Sequence, residues 1–131
     1  MTYGNKELHF GHICGVFVHA DTFTRFLIDR IGNENVIFVS VTDCYGSPIS
    51  ANYLKLVEEG KYEGSIQDYV RENHEKQKEV LNRYEISLNL YATSALDRAG
   101  EIHKEVSEEI FNKLYEDNIC QGVLSNFLKI S

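Results

Sequence analysis

Long apolar stretches are absent from this 131-residue chain, and their absence bears on where the protein resides. The longest uninterrupted apolar run, Val36–Val39, is far shorter than the roughly 20 residues that a membrane-spanning helix needs. No basic segment followed by an apolar stretch, which is the pattern of a secretory signal, stands before the first helix. We therefore expect a protein of the cytoplasm that makes no membrane contact.

Cysteines and basic residues are also sparse. Cys14, Cys44 and Cys120 are far apart and form no C-x-x-C pair, which argues against both a disulfide framework and a zinc knuckle. The 13 Lys and Arg residues are outnumbered by 20 Asp and Glu residues, so the net charge is -7. We therefore do not expect this chain alone to bind nucleic acid. Binding of a small anion by backbone amides remains compatible with this charge.

What the chain does contain is typical of one globular domain over residues 1–131, with 43% hydrophobic and 25% charged residues. Apolar residues at helical spacing predict helices over 12–31, 47–60, 65–85 and 94–118. Two segments, 35–43 and 86–93, have the patterns of β-strands. This alternation predicts an α/β fold with parallel strands.

The two predicted strands differ in character. The nearly continuous apolar run of 35–43 predicts a strand covered on both faces, as in a parallel sheet. The alternation of 86–93 predicts a strand with one wetter face. No strand is expected before the first helix, because that helix begins so soon after Met1, and a sheet of two strands is marginal in water. The structure of the tail after Asn118 stays open.

Several residues predict where helices begin and end. Ser47 precedes Pro48, Ser65 stands three residues before Asp68, and Ser94 opens the last helix, so each serine is expected to be an N-cap. Gly32 and Gly60 are expected just after two helices, where glycine accepts a positive φ.

The first group of residues with chemical potential is His9-Phe10-Gly11-His12, in a turn that leads into a helix. Backbone amides and the dipole at a helix N-terminus favour an anion, and imidazoles add donors, so this group suits a phosphate. The same residues are also compatible with plain polar residues at a helix start. A zinc site is a third alternative and would need a further ligand, for which His19 and His74 are candidates.

The second group is the segment from Thr42 to Ile49, which follows the first predicted strand. Asp43 is expected at the carboxyl end of that strand, where open α/β sheets bind ligands, and its carboxylate suits an ammonium or a ribose hydroxyl. The alternative is that Asp43 and Ser47 only shape a turn and cap a helix. For Asp43 we favour the functional interpretation, and for Ser47 the structural one.

Several motifs in order resemble the catalytic domain of class I aminoacyl-tRNA synthetases, and specifically the methionyl group. His9–His12 matches the "HIGH" signature, and Ala20-Asp21 with Arg25-Phe26-Leu27 falls on the group's "AD…RFL". The segment from Thr42 to Gly46 falls on its "TDEHG" element. Further on, "DYVRENHEKQKEVLNRYEISLNLYATS" resembles the helix and strand that follow in that group. The resemblance covers about residues 3–117.

The resemblance implies a Rossmann-like (HUP-type) nucleotide-binding fold, with an incomplete parallel sheet flanked by helices. It also implies a reaction in which an amino-acid carboxylate attacks the α-phosphate of ATP, with magnesium, to give an aminoacyl adenylate. His9 and His12 would bind the ATP phosphates and stabilise the transition state, and Gly11 would accommodate the adenine. Asp43 would bind the α-amino group of a methionine-like amino acid, and Tyr3 would line its pocket.

The chain also departs from the family pattern. Cys44 replaces an acidic residue and Tyr45 a histidine, and the terminal "KIS" is not the family's lysine loop, "KMSKS". We therefore expect roughly the first half of a catalytic domain, inactive alone, with no zinc site and no tRNA binding of its own. The alternative is a non-catalytic module that binds a nucleotide, an amino acid or a protein partner. An unpaired strand edge predicts a homodimer through residues 36–42 or 119–131.

Overall fold

The computed structural model describes residues 2–117 and residue 119. Three short strands alternate with helices, one strand more than the sequence predicts. The elements in chain order are β1 (Thr2–Tyr3), α1 (Phe10–His12), a π-helical segment (Ile13–Phe17), α2 (Val18–Ile31), a 3-10 turn (Asn33–Asn35), β2 (Val39–Asp43), α3 (Ser47–Glu58), α4 (Ile66–Arg83), β3 (Leu90–Thr93) and α5 (Asp97–Glu116).

The strands form one parallel sheet in the order β1-β2-β3, so the predicted α/β class and parallel pairing are confirmed. The prediction that no strand precedes the first helix is wrong. Thr2 and Tyr3 pair with Thr42 and Asp43. Two residues are too few to produce an alternating pattern, so β1 becomes visible only through its partner strand. The result is a small three-stranded sheet flanked by helices, consistent with an incomplete Rossmann-like fold.

The strands β2 and β3 are shorter than their sequences predict, and their apolar side chains are more exposed to solvent. β2 begins at Val39, and the side chains of Ile37 and Val39 are 80% and 55% exposed, so the prediction of a strand covered on both faces is wrong. In β3, Leu90 is 56% exposed, whereas Thr93 on the face predicted to be wetter is buried. The helices cover the face of the sheet that carries the hydroxyl groups of Thr42 and Thr93. On that face, hydrogen bonds take the place of apolar contacts.

The first predicted helix runs from Phe10 to Ile31 with one irregular turn. The segment Ile13–Phe17 is π-helical, and both of its end residues are buried in the core. A π-helical turn places one extra residue in the helix and often occurs at functional sites. Here it lies directly after His12, at the start of the longest helical segment before the first full strand.

The predicted caps are confirmed at some helix ends and wrong at others. Ser65 and Asp68 form a capping box, and Gly32 and Gly60 have φ values of +88° and +65° after their helices. Ser47 lies inside α3, whose N-cap is Gly46, and no side chain caps that end. Ser94 does not cap α5 either, because that helix begins at Asp97 with Leu96 as its N-cap, and the Ser94 hydroxyl instead accepts a hydrogen bond from the backbone N–H of Cys44 at 2.8 Å.

Two apolar clusters hold these elements together. One contains Ile13, Phe17, Leu81 and Ile86, and joins the π-helical turn to the end of α4. The other contains Ile49, Tyr69, Val70 and Leu96, and joins α3 and α4 to the start of α5. Along α5 the predicted apolar stripe is helical, but Ile102, Val106 and Ile110 are 45–55% exposed. Among the described residues, no helix has the length and apolar content to cross a membrane.

Candidate functional site

The two histidines of the HFGH segment cap the same helix start. His9 is the N-cap of α1, and its Nδ1 accepts a hydrogen bond from the backbone N–H of Gly11 at 3.1 Å. The backbone N–H of His9 in turn donates to Nδ1 of His12 at 3.3 Å. The two rings lie against each other, with centroids 3.8 Å apart and planes inclined by 31°. A reciprocal cap of this kind satisfies amides that a helix start otherwise leaves without partners.

The capping geometry determines which nitrogen of each ring carries the proton. Because both Nδ1 atoms accept a hydrogen bond from a backbone amide, the neutral rings hold their protons on Nε2. Partial burial, then the adjacent His9 ring and the charge of Lys6, lower the pKa of His12. His12 therefore presents an Nε2–H donor from an uncharged ring at neutral pH.

Gly11 leaves the space that the ring of His9 occupies. A β-carbon built on Gly11 would lie 2.9 Å from Cε1 and 3.1 Å from Nδ1 of His9. A side chain at this position would push the ring out of its capping position. The glycine in this motif thus has a structural reason within the chain itself.

Tyr3 and Asp43 lie side by side at the carboxyl edge of the sheet, where they are register partners in β1 and β2. The backbone N–H of Gly4 donates to the carbonyl oxygen of Asp43 at 2.8 Å. Oδ1 of Asp43 accepts from the backbone N–H of Tyr45 at 3.0 Å, which fixes one carboxylate oxygen and keeps the turn after β2 tight. Tyr3 is half exposed and Asp43 partly so. The predicted position of Asp43 at the end of its strand is confirmed.

The five-residue loop between Tyr3 and His9 links the pair at the sheet edge to the histidine pair. Side chains of α3 and α4 hold this loop through its carbonyl groups. The carbonyl oxygen of Asn5 accepts from the hydroxyl of Tyr69 at 2.6 Å and from Nδ2 of Asn52 at 3.0 Å. Leu8 packs against the first apolar cluster. The loop is thereby fastened before it reaches His9.

The residues considered for a zinc site lie in separate environments. His19 is exposed on α2, whereas His74 is buried on α4 with its Nδ1 2.9 Å from the hydroxyl of Thr42. Cys14 and Cys44 are partly buried free thiols, and Cys120 lies outside the described residues. Within residues 2–117 and 119, no group of three His, Cys, Asp or Glu side chains is placed to hold a metal ion.

The sequence patterns did not predict one buried group of polar side chains. The hydroxyls of Thr2, Thr42 and Tyr91, one from each strand, converge on Oε1 of Gln77 at 2.7–3.0 Å. The ring of His74 stacks on Tyr91, with centroids 5.0 Å apart. The signal was present in the sequence, since His74 and Gln77 interrupt the apolar stripe of α4 with polar side chains. A polar residue in such a stripe indicates a buried hydrogen-bond network.

Comparison with known proteins places this arrangement in a family. The model of "tRNA synthetases class I (M)" matches residues 1–128. The chain therefore belongs to the class I tRNA synthetases of that group. Two relatives are both named methionine–tRNA ligase: that of Pyrococcus abyssi is 37% identical over 117 residues, and that of Bacteroides fragilis is 32% identical over 117 residues.

The chain matches only a part of these relatives. The matched segment covers 89% of this chain but 14% of the ligase from Pyrococcus abyssi, and 88% of this chain but 15% of the one from Bacteroides fragilis. The methionine–tRNA ligase of Cytophaga hutchinsonii, at 36% identity, gives corresponding values of 89% and 15%. The chain is thus related to methionine–tRNA ligases over a small fraction of their length.

Proposed function

We propose that this chain forms one domain. That domain would provide the surface that contacts the ATP phosphates and the amino acid in a methionyl-tRNA-synthetase-like site. The observation that carries the proposal is the reciprocal capping of His9 and His12, which leaves the Nε2–H of each ring as a donor for a ligand. Such donors, placed before the ligand arrives, stabilise the charge that develops on a phosphate during adenylate formation. Gly11 would accommodate the adenine beside this pair, and the family implies magnesium with the ATP.

The amino acid is assigned to the edge of the sheet. Asp43 would hold the α-amino group of methionine or a similar amino acid, since a carboxylate is the natural partner of an ammonium. Tyr3, its neighbour across the strand pair, would line the side-chain pocket. The family membership supports both roles. We expect the protein to act in the cytoplasm, where free thiols such as Cys14 and Cys44 stay reduced.

Binding of ATP is tested by NMR titration of the wild type and of His12→Asn. Asparagine keeps an acceptor near the position of Nδ1, so the cap survives, but it lacks the donor of Nε2. We expect wild-type binding on the order of millimolar, because few contacts are available, and a clear loss in the variant. His19→Asn, an exposed histidine on α2, is the matched control and should bind like the wild type. Shift changes that miss residues 9–16 would contradict the assignment.

Amino-acid binding and turnover are tested separately. Asp43→Asn should abolish the response of the Tyr3–Asp43 region to methionine and leave the ATP response unchanged. We expect no amino-acid-dependent exchange of pyrophosphate into ATP, because the 131 residues contain no "KMSKS" segment to hold the phosphates. Methionine-dependent exchange that is lost in His12→Asn would show instead a complete enzyme. Binding without exchange would match the non-catalytic module.

We also propose that the protein forms a homodimer through the open side of β2. Among the described residues, β1 pairs with Thr42 and Asp43 and leaves Val39–Val41 without a β1 partner on that side, and Val39 itself is 55% exposed. Such an edge pairs readily with a second copy. The alternative interface in 119–131 lies almost entirely outside the described residues.

Light scattering at low micromolar concentration tests the dimer. The wild type should have twice the mass of one chain, and Val39→Lys should convert it to monomer or aggregate. Asn33→Lys adds the same charge at an exposed position before β2 and should leave the mass unchanged. A stable wild-type monomer whose thermal transition does not depend on concentration would contradict the proposal.

A further inference from the structure

The side chain of Gln77 on α4 is 1% exposed. It donates both of its amide protons to backbone carbonyls in the segment before the histidines. Its Nε2 donates to the carbonyl oxygen of Tyr3 at 2.8 Å and to that of Lys6 at 2.7 Å. Backbone carbonyls only accept hydrogen bonds, so the orientation of the amide is determined by its partners. Lys6 precedes His9 by three residues, which places this anchor close to the capped helix start.

The other end of the amide is tied to the sheet. Oε1 of Gln77 accepts from the hydroxyl of Tyr91 at 2.7 Å and lies 3.0 Å from the hydroxyls of Thr2 and Thr42. Burial raises the pKa of Tyr91, so this phenol stays a donor at neutral pH. Gln77 is thus held by one side chain from each strand, and it holds the loop in turn.

The remaining anchors of the loop act at its middle and at its two ends, where the backbone N–H of Gly4 donates to the carbonyl oxygen of Asp43 and Leu8 packs against the first apolar cluster. Tyr69 and Asn52 hold the carbonyl of Asn5, and the ion pair of Lys76 with Glu7 is exposed and long, at 3.8 Å. An exposed pair of this kind contributes little to the position of the backbone. Gln77 therefore anchors the loop at Lys6, which is nearer to His9 in sequence than the other bonded carbonyls, and it adds to the strand pairing that holds Tyr3.

We propose that Gln77 is a positioning residue that holds Tyr3 and the loop between Tyr3 and His9, and with them the histidine pair, in the geometry that binds the ligand. The role rests on the proposed function, since it acts through His9 and His12 and touches no ligand itself. A glutamine suits this task because one planar amide supplies two donors to the loop and one acceptor to the hydroxyls of the sheet. A buried, fully bonded amide has one orientation, and the loop inherits it.

Gln77→Glu tests this inference with nearly the same shape. At neutral pH its carboxylate has no protons to donate, and it faces the carbonyl oxygens of Tyr3 and Lys6. We expect faster hydrogen exchange in the segment 3–12 than in the wild type, and ATP binding weaker by about tenfold. As the pH falls, the protonated carboxyl regains one donor, so the difference in exchange from the wild type at the same pH should shrink. Gln67→Glu, the same change at an exposed position of α4, should alter neither quantity.

Two further variants separate positioning from general stability. Tyr91→Phe removes a donor to Oε1 but leaves both donors to the loop, so exchange in 3–12 should stay close to the wild type. Gln77→Met, which is uncharged and similar in length, should repeat the effect of Gln77→Glu without its pH dependence. Unchanged exchange and binding in both Gln77 variants would overturn the inference, and so would global unfolding of both. If the wild type binds no ATP, the proposed ligand is wrong, and the exchange of 3–12 still decides the role of Gln77.

Discussion

Gly4 lies so close to α4 that a β-carbon built on it would stand 2.9 Å from Cγ1 of Val70. The same carbon would be 3.4 Å from the carbonyl oxygen of Asp43, to which the backbone N–H of Gly4 donates. The loop that leads to the histidines therefore packs directly on the helix behind it. This contact, together with the anchored carbonyls, makes the loop a part of the folded core.

The close contact predicts the effect of a methyl group at two glycines. Gly4→Ala should lower the free energy of unfolding by about 1–3 kcal/mol, because Val70 and the loop must move apart. Gly15→Ala, in the π-helical turn, is the control, since nothing lies within 4 Å of its built β-carbon. It should raise the stability by roughly 0.5–1 kcal/mol through helix propensity. Urea unfolding of both variants measures the difference, and equal effects would contradict the packing.

The link between Asp21 and Ser87 predicts a loss of stability in acid. Burial alone raises the pKa of Asp21, but the hydrogen bonds from Ser87 and Arg25 outweigh it, so the pKa lies below the usual 3.8. The bonds therefore stabilise the fold fully above the unfolded-state pKa, and this contribution is lost as the pH falls from 3.8 through the folded-state pKa.

Asp21→Asn tests this link and should cost about 1.5–3 kcal/mol at neutral pH, the usual value for hydrogen bonds to a charged group. Its unfolding free energy should fall less steeply in acid than that of the wild type. Asp29→Asn is an exposed control on the same helix. Parallel acid profiles of the wild type and Asp21→Asn would contradict the assignment.

His74 predicts a separate loss that begins at higher pH. Burial lowers the pKa of its imidazole below the usual 6.5, while Glu75 and Asp97 act in the opposite direction and Lys78 and Arg71 add to the lowering. The folded state therefore disfavours the protonated ring, so stability is full above pH 6.5 and falls as the pH drops below it. In His74→Gln the unfolding free energy between pH 7 and pH 5 should change less than in the wild type. An unchanged slope would show that the ring does not titrate with unfolding.

The histidine pair predicts how protonation and anions interact. The pKa of His12, followed by NMR, should lie below 6.5 in chloride and rise in phosphate at the same ionic strength, because a bound anion stabilises the imidazolium. By linkage, phosphate should bind more tightly as the pH falls through the pKa of His12. The same pKa in both salts would show that phosphate binds elsewhere or not at all.

The class of the fold followed from the sequence because it depends on local patterns. The apolar spacing of 12–31 and 65–85, the capping box of Ser65 with Asp68, and the positive φ of Gly32 each need only neighbours in the chain. The motif at His9–His12 and the position of Asp43 at the end of its strand are local in the same sense. The order of such motifs is also what a family comparison detects.

What the tertiary structure decided are the pairings between distant parts of the chain. β1 exists because Thr2 and Tyr3 meet β2, about 40 residues away, and two residues alone carry no pattern. The apolar run of β2 and the alternation of β3 misled the prediction of their buried faces. The hydroxyl of Thr42 finds its partner Gln77 only when α4 meets the sheet, whereas the hydroxyl of Thr93 donates to Leu96 in the turn before α5. Gln77 forms several buried hydrogen bonds for the same reason. A polar side chain is stable inside a protein only where the folded chain brings it donors and acceptors.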